Sequence, residues 1–207
     1  MEPALAAAHP ELGFPALITI ATPVDFNEVR FLATLFRDGR LKPDDVLDAD
    51  GLVPPDVCRN AFRIMKPTAE ISAYANLWQQ LWNDRYVGSY QAFAQWARDH
   101  VPFPGAMLRQ VVHLLVEDNS LLRGTMRLGG RPVDLAGISC PVLCVIAEKD
   151  HVVPPAAAEP LVELLGPERV DILRIPGGHV SLLVGPVAAK VTLPEICDWA
   201  ERHRRPT

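Results

Sequence analysis

Two polar residues in the second half of the chain have the types and the setting of a catalytic pair. Asp150 follows the apolar run 141–147, and His179 follows the apolar run 170–175. A nucleophile that attacks an acyl group needs a histidine to take its proton and a carboxylate to orient the imidazole ring. Each residue alone is better explained as a capping or loop residue. Their positions after successive predicted strands favour a catalytic pair.

No third member of such a site is recognisable. Neither Gly-x-Ser-x-Gly nor Gly-x-Cys-x-Gly, the strained turn that presents a nucleophile, occurs in the 207 residues. Cys58 lies in a Pro-Pro-Asp-Val-Cys segment without the glycines of such a turn, and we interpret it as a packed residue. His151, beside Asp150, is open to two interpretations, a substrate contact or an ordinary loop residue.

The strands that position these residues are predicted to be buried on both faces. Residues 16–21 and 141–147 are almost wholly apolar, and residues 170–175 are apolar apart from Asp171 and Arg174. Helices are predicted over residues 155–165 and 187–203. Such strands belong in a parallel sheet covered by flanking helices. We therefore predict an α/β fold, and an acid followed by a histidine is the order in which an α/β-hydrolase chain ends.

A helical insertion separates the first strand from the other two. Residues 43–128 are predicted as a cap or lid, which leaves an incomplete α/β-hydrolase core at residues 1–42 and 129–207. Tyr74 and Trp78 begin an aromatic stripe at helical spacing that continues to Trp82. The stripe is open to two interpretations, the core of the insertion or an apolar lid over a site for an acyl substrate.

Composition excludes several classes of function. The net charge of −5 and the scattered basic residues do not favour nucleic-acid binding. No apolar run approaches the length of a membrane span, and no basic segment precedes the short Ala-rich start. The four cysteines contain no Cys-x-x-Cys pair, so we expect free thiols, no metal site, and a soluble protein of the cytoplasm.

A series of motifs along the whole chain resembles the polyhydroxyalkanoate synthases, most of all the shorter synthases that work with an accessory subunit. The resemblance is carried, in chain order, by Thr22-Pro-Val-Asp-Phe26, Tyr74-Ala-Asn-Leu-Trp78, Pro102-Phe-Pro-Gly105, Asn119, Asp150-His-Val-Val-Pro154 and Gly178-His179.

The resemblance implies an acyltransferase that polymerises 3-hydroxyacyl-coenzyme A into polyester and releases coenzyme A. In this family a cysteine carries the acyl group; His179 would activate that thiol, and Asp150 would assist, by helping to deprotonate the incoming hydroxyl. Coenzyme A enters as a thioester substrate, and no cofactor is implied. The partners implied are an N-terminal synthase half, an accessory subunit or a homodimer partner, and the protein would associate with polyester granules.

The resemblance also places the cysteine turn before the Ala-rich helix at residues 1–9. The expected protein is therefore a truncated or split synthase that carries the acid and the histidine, lacks the cysteine and is inactive alone. Two alternatives stay open. One is a non-enzymatic module that binds polyester granules or a full-length synthase, and the other is a lidded esterase or depolymerase.

Overall fold

The chain forms two compact units in a computed structural model that describes residues 2–65 and 69–204. The first unit combines Met1–Asp38 with His113–Thr207, and the second unit is Gly39–Val112. The helices, in chain order, are α1 (Glu2–Ala8), α2 (Arg30–Leu32), α3 (Pro55–Met65), α4 (Ala69–Gln79), α5 (Asp84–Trp96), α6 (Gly105–Val111), α7 (Pro155–Ala158), α8 (Pro160–Leu165) and α9 (Leu193–His203). The strands are β1 (Leu17–Ile20), β2 (Leu52–Val53), β3 (Phe103–Pro104), β4 (Arg127–Leu128), β5 (Arg131–Pro132), β6 (Val142–Ala147) and β7 (Val170–Ile175).

A parallel sheet organises the first unit. Its strand order is β1-β6-β7, with Val142 opposite Leu17 on one side and opposite Val170 on the other. All six residues of β6 are buried, because the strand has a neighbour along each edge and apolar packing on both faces. Helix α1 packs against β1, and α7 packs against β6. The three predicted strands and the predicted α/β fold are confirmed. The prediction that all three strands are buried on both faces is wrong for β7, which buries Val170 and Ile175 but exposes Asp171, Ile172 and Arg174.

Both helices predicted after these strands are interrupted. The helix predicted over 155–165 forms as two short helices, α7 and α8, because Pro160 cannot donate the backbone hydrogen bond that would continue α7. The helix predicted over 187–203 begins with the π-helical turn Ala188–Thr192 before α9. Because Pro194 has no N–H, the carbonyl of Lys190, four residues earlier and within this π-helical turn, lacks its usual α-helical partner.

The second unit, Gly39–Val112, ends sixteen residues before the end of the insertion predicted at 43–128, since residues 113–128 belong to the first unit. Leu115 and Val116 are buried there, in the π-helical turn Val112–Glu117. Tyr74 and Trp78 lie on α4 with exposed side chains, and Trp82, beyond the helix end, is 78% exposed. These side chains are not packed as a core among the described residues. The role of the second unit as a cap stays a prediction.

Asn119 links two segments of the first unit. One is the segment that follows the second unit in the chain, and the other is the loop that follows β1. Its buried side-chain carbonyl accepts a hydrogen bond from the backbone N–H of Phe26 at 3.0 Å, and its amide donates to Asp25 Oδ1 at 2.8 Å. Its backbone has a φ of +47°, a conformation that asparagine tolerates better than most residues. Nearby, the Arg37 guanidinium donates to the carbonyl of Val116. The two segments are thus tied by side-chain hydrogen bonds.

We predict that Asn119→Ala lowers the free energy of unfolding by about 2–4 kcal/mol. The change removes both hydrogen bonds, one of them to a carboxylate, and places alanine in the left-handed region. Urea denaturation of the 207-residue chain measures the effect. Asn27→Ala, at an exposed neighbouring asparagine, is the control and is expected to change stability by less than about 0.5 kcal/mol. Equal stabilities for the two variants would contradict the role given to Asn119.

Candidate active site

The two residues selected from the sequence are in direct contact. His179 Nδ1 lies 2.8 Å from Asp150 Oδ2. The sheet hydrogen bonding continues past the ends of β6 and β7, because the N–H of Glu148 donates to the carbonyl of Ile175 and the N–H of Lys149 donates to the carbonyl of Gly177. The loop of the acid and the loop of the histidine are therefore fixed to each other through their backbones.

Asp150 is a buried carboxylate with a full set of donors. Its side chain has no exposed surface, and Oδ1 accepts the backbone N–H groups of Val152 at 2.8 Å and Val153 at 2.9 Å. Burial by itself would raise the pKa of this carboxyl. The hydrogen bond from His179, the two amides and the attraction to the imidazole outweigh burial and hold the pKa of Asp150 below its ordinary value.

An ionised Asp150 fixes the tautomer of His179. Since the carboxylate can only accept a hydrogen bond, the Nδ1 atom of His179 carries a proton and donates it to Oδ2. In the neutral imidazole, Nε2 then has the free lone pair. The His179 side chain is 38% exposed, whereas Asp150 is covered. The pair can take a proton from a group that reaches Nε2, with the carboxylate stabilising the resulting imidazolium.

A cleft of about 600 Å³ lies beside the acid loop within the first unit. It is bounded by α2, through Arg30 and Phe31, and by the start of α7 at Pro155. The exposed His151 lines this cleft, and the Asp150 backbone turn forms part of its wall. Both interpretations of His151, substrate contact and loop residue, fit this position.

The cysteines whose pKa shifts in this structure are not activated. Burial raises the pKa of the thiols of Cys58, Cys140 and Cys144, whereas a nucleophilic cysteine needs a lowered pKa. The part of the chain that the structure describes contains no group of three His, Cys, Asp or Glu residues placed to hold a metal ion. In the same ranges, no helix is both long enough and apolar enough to cross a bilayer.

Sequence reasoning missed the residues that support the pair. The amides of Val152 and Val153 carry no side-chain signal, although an aspartate followed by a tight turn is a common arrangement for such bonds. Gly177 and Gly178 precede His179, and a pair of glycines commonly allows a sharp turn. Neither residue has a positive φ, so this loop does not use the left-handed backbone that favours glycine.

A parallel sheet with an acid after one strand and its histidine partner after the next has the arrangement of the α/β-hydrolase fold, and this is the class to which the first unit belongs. Sequence comparison identifies the relatives. The chain is 31% identical over 194 residues to the poly(3-hydroxyalkanoate) polymerase subunit PhaC of Allochromatium vinosum. The aligned residues cover 93% of this chain and 54% of that protein. The subunit PhaC of Haloferax mediterranei is 29% identical over 167 residues, which covers 80% of the chain and 34% of that protein.

The chain is a relative of the poly(3-hydroxyalkanoate) polymerases, as the sequence motifs indicated, and it spans a third to about half of the length of these curated relatives. No protein-family model matches it. Among solved structures, a Mycobacterium tuberculosis protein assigned as a non-heme bromoperoxidase, BpoC, superposes with a TM-score of 0.46 at 20% identity over 97% of this chain and 62% of that chain. Proline iminopeptidase of Mycobacterium smegmatis superposes with a TM-score of 0.41 at 17% identity over 97% of this chain and 61% of that chain.

We predict that Asp150→Asn destabilises the chain at pH 6 by about 1.5–3 kcal/mol and that the loss shrinks by pH 3. The lowered pKa of Asp150 means that its ionised form stabilises the folded state above about pH 4, and that this contribution disappears as the pH falls through the pKa of the folded state. Urea denaturation at the two pH values measures the difference.

The control is Asp134→Asn, at an exposed carboxylate that accepts one amide hydrogen bond, from Ala136. It should cost less than about half as much at pH 6, because one solvated hydrogen bond is worth less than three buried ones. A loss for Asp150→Asn that is the same at pH 6 and pH 3 would contradict the assignment of the buried charge.

Proposed function

We propose that these residues form the part of a poly(3-hydroxyalkanoate) polymerase that carries the acid and the base of a Cys-His-Asp site. The observation that carries the proposal is the 2.8 Å hydrogen bond between Asp150 Oδ2 and His179 Nδ1, with the acid buried and the histidine accessible. The similarity to several PhaC subunits supplies the class of reaction. The substrate is a 3-hydroxyacyl-coenzyme A, and the product is a polyester held on the enzyme as a thioester.

In the first step, His179 Nε2 takes the proton of a cysteine thiol supplied by a polymerase segment that contains Gly-x-Cys-x-Gly. The thiolate attacks the thioester carbonyl, the bond from the acyl carbon to the coenzyme A sulfur breaks, and the imidazolium returns the proton to the leaving sulfur. One thioester replaces another, so the exchange is nearly balanced in energy. In elongation, His179 Nε2 takes the proton of the hydroxyl of the next acyl group, and the hydroxyl oxygen attacks the carbonyl of the enzyme thioester. The bond from the acyl carbon to the cysteine sulfur breaks, and the imidazolium returns the proton to that sulfur.

Asp150 acts through the imidazole rather than by contact with the substrate. Its side chain is fully buried, and its two oxygens are engaged by the imidazole and by the amides of Val152 and Val153. The carboxylate keeps the proton of the neutral ring on Nδ1 and stabilises the positive charge that forms when Nε2 is protonated. This is how it assists deprotonation of the incoming hydroxyl.

We predict that His179→Gln and Asp150→Asn each lower turnover at least about 100-fold in an enzyme reconstituted from this chain and a segment that contains Gly-x-Cys-x-Gly. Release of coenzyme A from 3-hydroxybutyryl-coenzyme A is the measurement. His113→Gln, at an exposed histidine outside the site, is the control and should retain turnover within about threefold.

Either variant with turnover like that of the control would refute the assignment. The 207-residue chain assayed by itself should release no coenzyme A, because none of its cysteines lies in a Gly-x-Cys-x-Gly turn and burial raises the pKa of the Cys58, Cys140 and Cys144 thiols. Release that disappears in Cys58→Ala would replace the proposed nucleophile with Cys58 and favour an independent hydrolase or transferase.

A second function, binding to polyester granules, is favoured by the exposed apolar side chains of the second unit. Trp78 and Trp82 are each 78% exposed, and an exposed apolar surface of this kind commonly marks an interaction site. Further exposed apolar residues of the same unit are Ile64, Ile71, Tyr74, Leu81, Trp96 and Val101. An aliphatic polyester offers a matching apolar surface, so this unit would hold the protein at its product.

We predict that Trp78→Ser combined with Trp82→Ser weakens cosedimentation of the chain with poly-3-hydroxybutyrate particles at least about tenfold, because burying a large apolar side chain contributes roughly 1.5–3 kcal/mol. Leu12→Ser, at an exposed leucine of the first unit, is the control and should not change binding. Undiminished cosedimentation of the double variant would exclude these two tryptophans as the contact.

A further inference from the structure

The turn that carries His179 is closed by a serine two residues later. Ser181 lies in the 3₁₀ turn His179–Leu182, and its Oγ donates a hydrogen bond to the carbonyl of Gly178 at 2.6 Å. The backbone N–H of Ser181 donates to the same carbonyl at 3.0 Å. The next residue, Leu182, is 1% exposed and anchors the end of the turn in the core.

The Ser181 hydroxyl also occupies the space in which a side chain at position 177 would lie. A Cβ atom added to Gly177 would come within 2.2 Å of Ser181 Oγ, a distance that atoms cannot occupy without displacement. The same atom would lie 3.3 Å from Ser181 Cβ, which is tight but tolerable. A Cβ at Gly178 would meet only the carbonyl of Lys149, at 3.5 Å. A side chain at position 177 would therefore require the Ser181 hydroxyl to rotate away from its place beside the Gly178 carbonyl.

We propose that Ser181, whose hydroxyl fills the space beside Gly177, is a positioning residue that holds the His179 imidazole against Asp150. The catalytic consequence of this inference rests on the proposed function. Gly177 is the residue whose carbonyl accepts the N–H of Lys149, next to the acid. Of the three residues between the end of β7 and His179, the Ser181 hydroxyl is hydrogen-bonded to Gly178 and fills the space beside Gly177. It thereby couples the direction of the imidazole to the loop of the acid.

The first experiment measures the positioning without turnover. In the ¹⁵N-labelled 207-residue chain, NMR gives the rate at which the His179 Nδ1 proton exchanges with water. Ser181→Ala should raise this rate at least about tenfold, because the hydrogen bond to Asp150 opens more often. Ser181→Thr keeps a hydroxyl and should restore slow exchange, and Ser89→Ala, at an exposed serine of α5, should leave the rate unchanged.

The second experiment is a double-mutant cycle, which tests whether the substitutions at positions 177 and 181 change the exchange rate independently. Gly177→Ala should raise the exchange rate as much as Ser181→Ala does, because the new methyl displaces the hydroxyl. In the Ser181→Ala background the same substitution should add less than about twofold, since the atom that it displaces is gone. Denaturation midpoints of the variants confirm that each is folded when it is measured.

The outcomes are separable. Exchange in Ser181→Ala equal to that of the unchanged chain, or effects of the two substitutions that simply add, would overturn the positioning role. In the reconstituted enzyme, Ser181→Ala should lower kcat about tenfold or more with little change in KM, because the substrate still binds. If the unchanged reconstituted enzyme releases no coenzyme A, the proposed function fails, and the exchange rates alone decide whether Ser181 positions His179.

Discussion

The burial of the Asp150 carboxylate is the constraint on which the rest of the site depends. A charge without solvent is costly unless donors replace the water, and here the donors are the amides of Val152 and Val153 and the imidazole of His179. Two of these are supplied by the turn after β6, and the third, His179, comes from the turn after the neighbouring strand β7. The parallel register of β6 and β7, continued by backbone hydrogen bonds past both strand ends, brings the third donor within reach.

A second set of side-chain hydrogen bonds in the same unit joins two segments that are far apart in the chain. The loop after β1 and the segment that returns from the second unit are joined by Asn119 and by Arg37, whose partners are backbone groups and one carboxylate. Asn119 is buried, so removing its side chain leaves the groups to which it is hydrogen-bonded without a partner. A long helical insertion can therefore interrupt the chain between β1 and β6 while the three strands keep their register.

The elements that depend on apolar patterning could be predicted from the sequence. The features that depend on a single proline or on a backbone group could not. The strands β1 and β6 follow from runs that are almost wholly apolar, and β7 follows from a run broken by Asp171 and Arg174. The pair of Asp150 and His179 follows from the polar turns after β6 and β7. The division of the helix at Pro160 and the π-helical turn before α9 depend on missing N–H groups, which a periodic pattern does not register. The contact of Ser181 with Gly177 depends on loop coordinates, and no spacing rule describes it.

Under the proposed function, the placement of the acid restricts the route of every proton. Asp150 cannot accept a proton from a substrate directly, because its side chain is buried and both oxygens already accept hydrogen bonds. His179 Nδ1 is committed to the carboxylate, so Nε2 is the ring nitrogen through which the pair exchanges protons. The same atom must therefore accept a proton first from the thiol and then from the incoming hydroxyl, and it must lose the first proton before it takes the second. A leaving coenzyme A sulfur that takes up this proton would reset the imidazole for the next attack, so that thioester exchange and chain elongation alternate at one nitrogen.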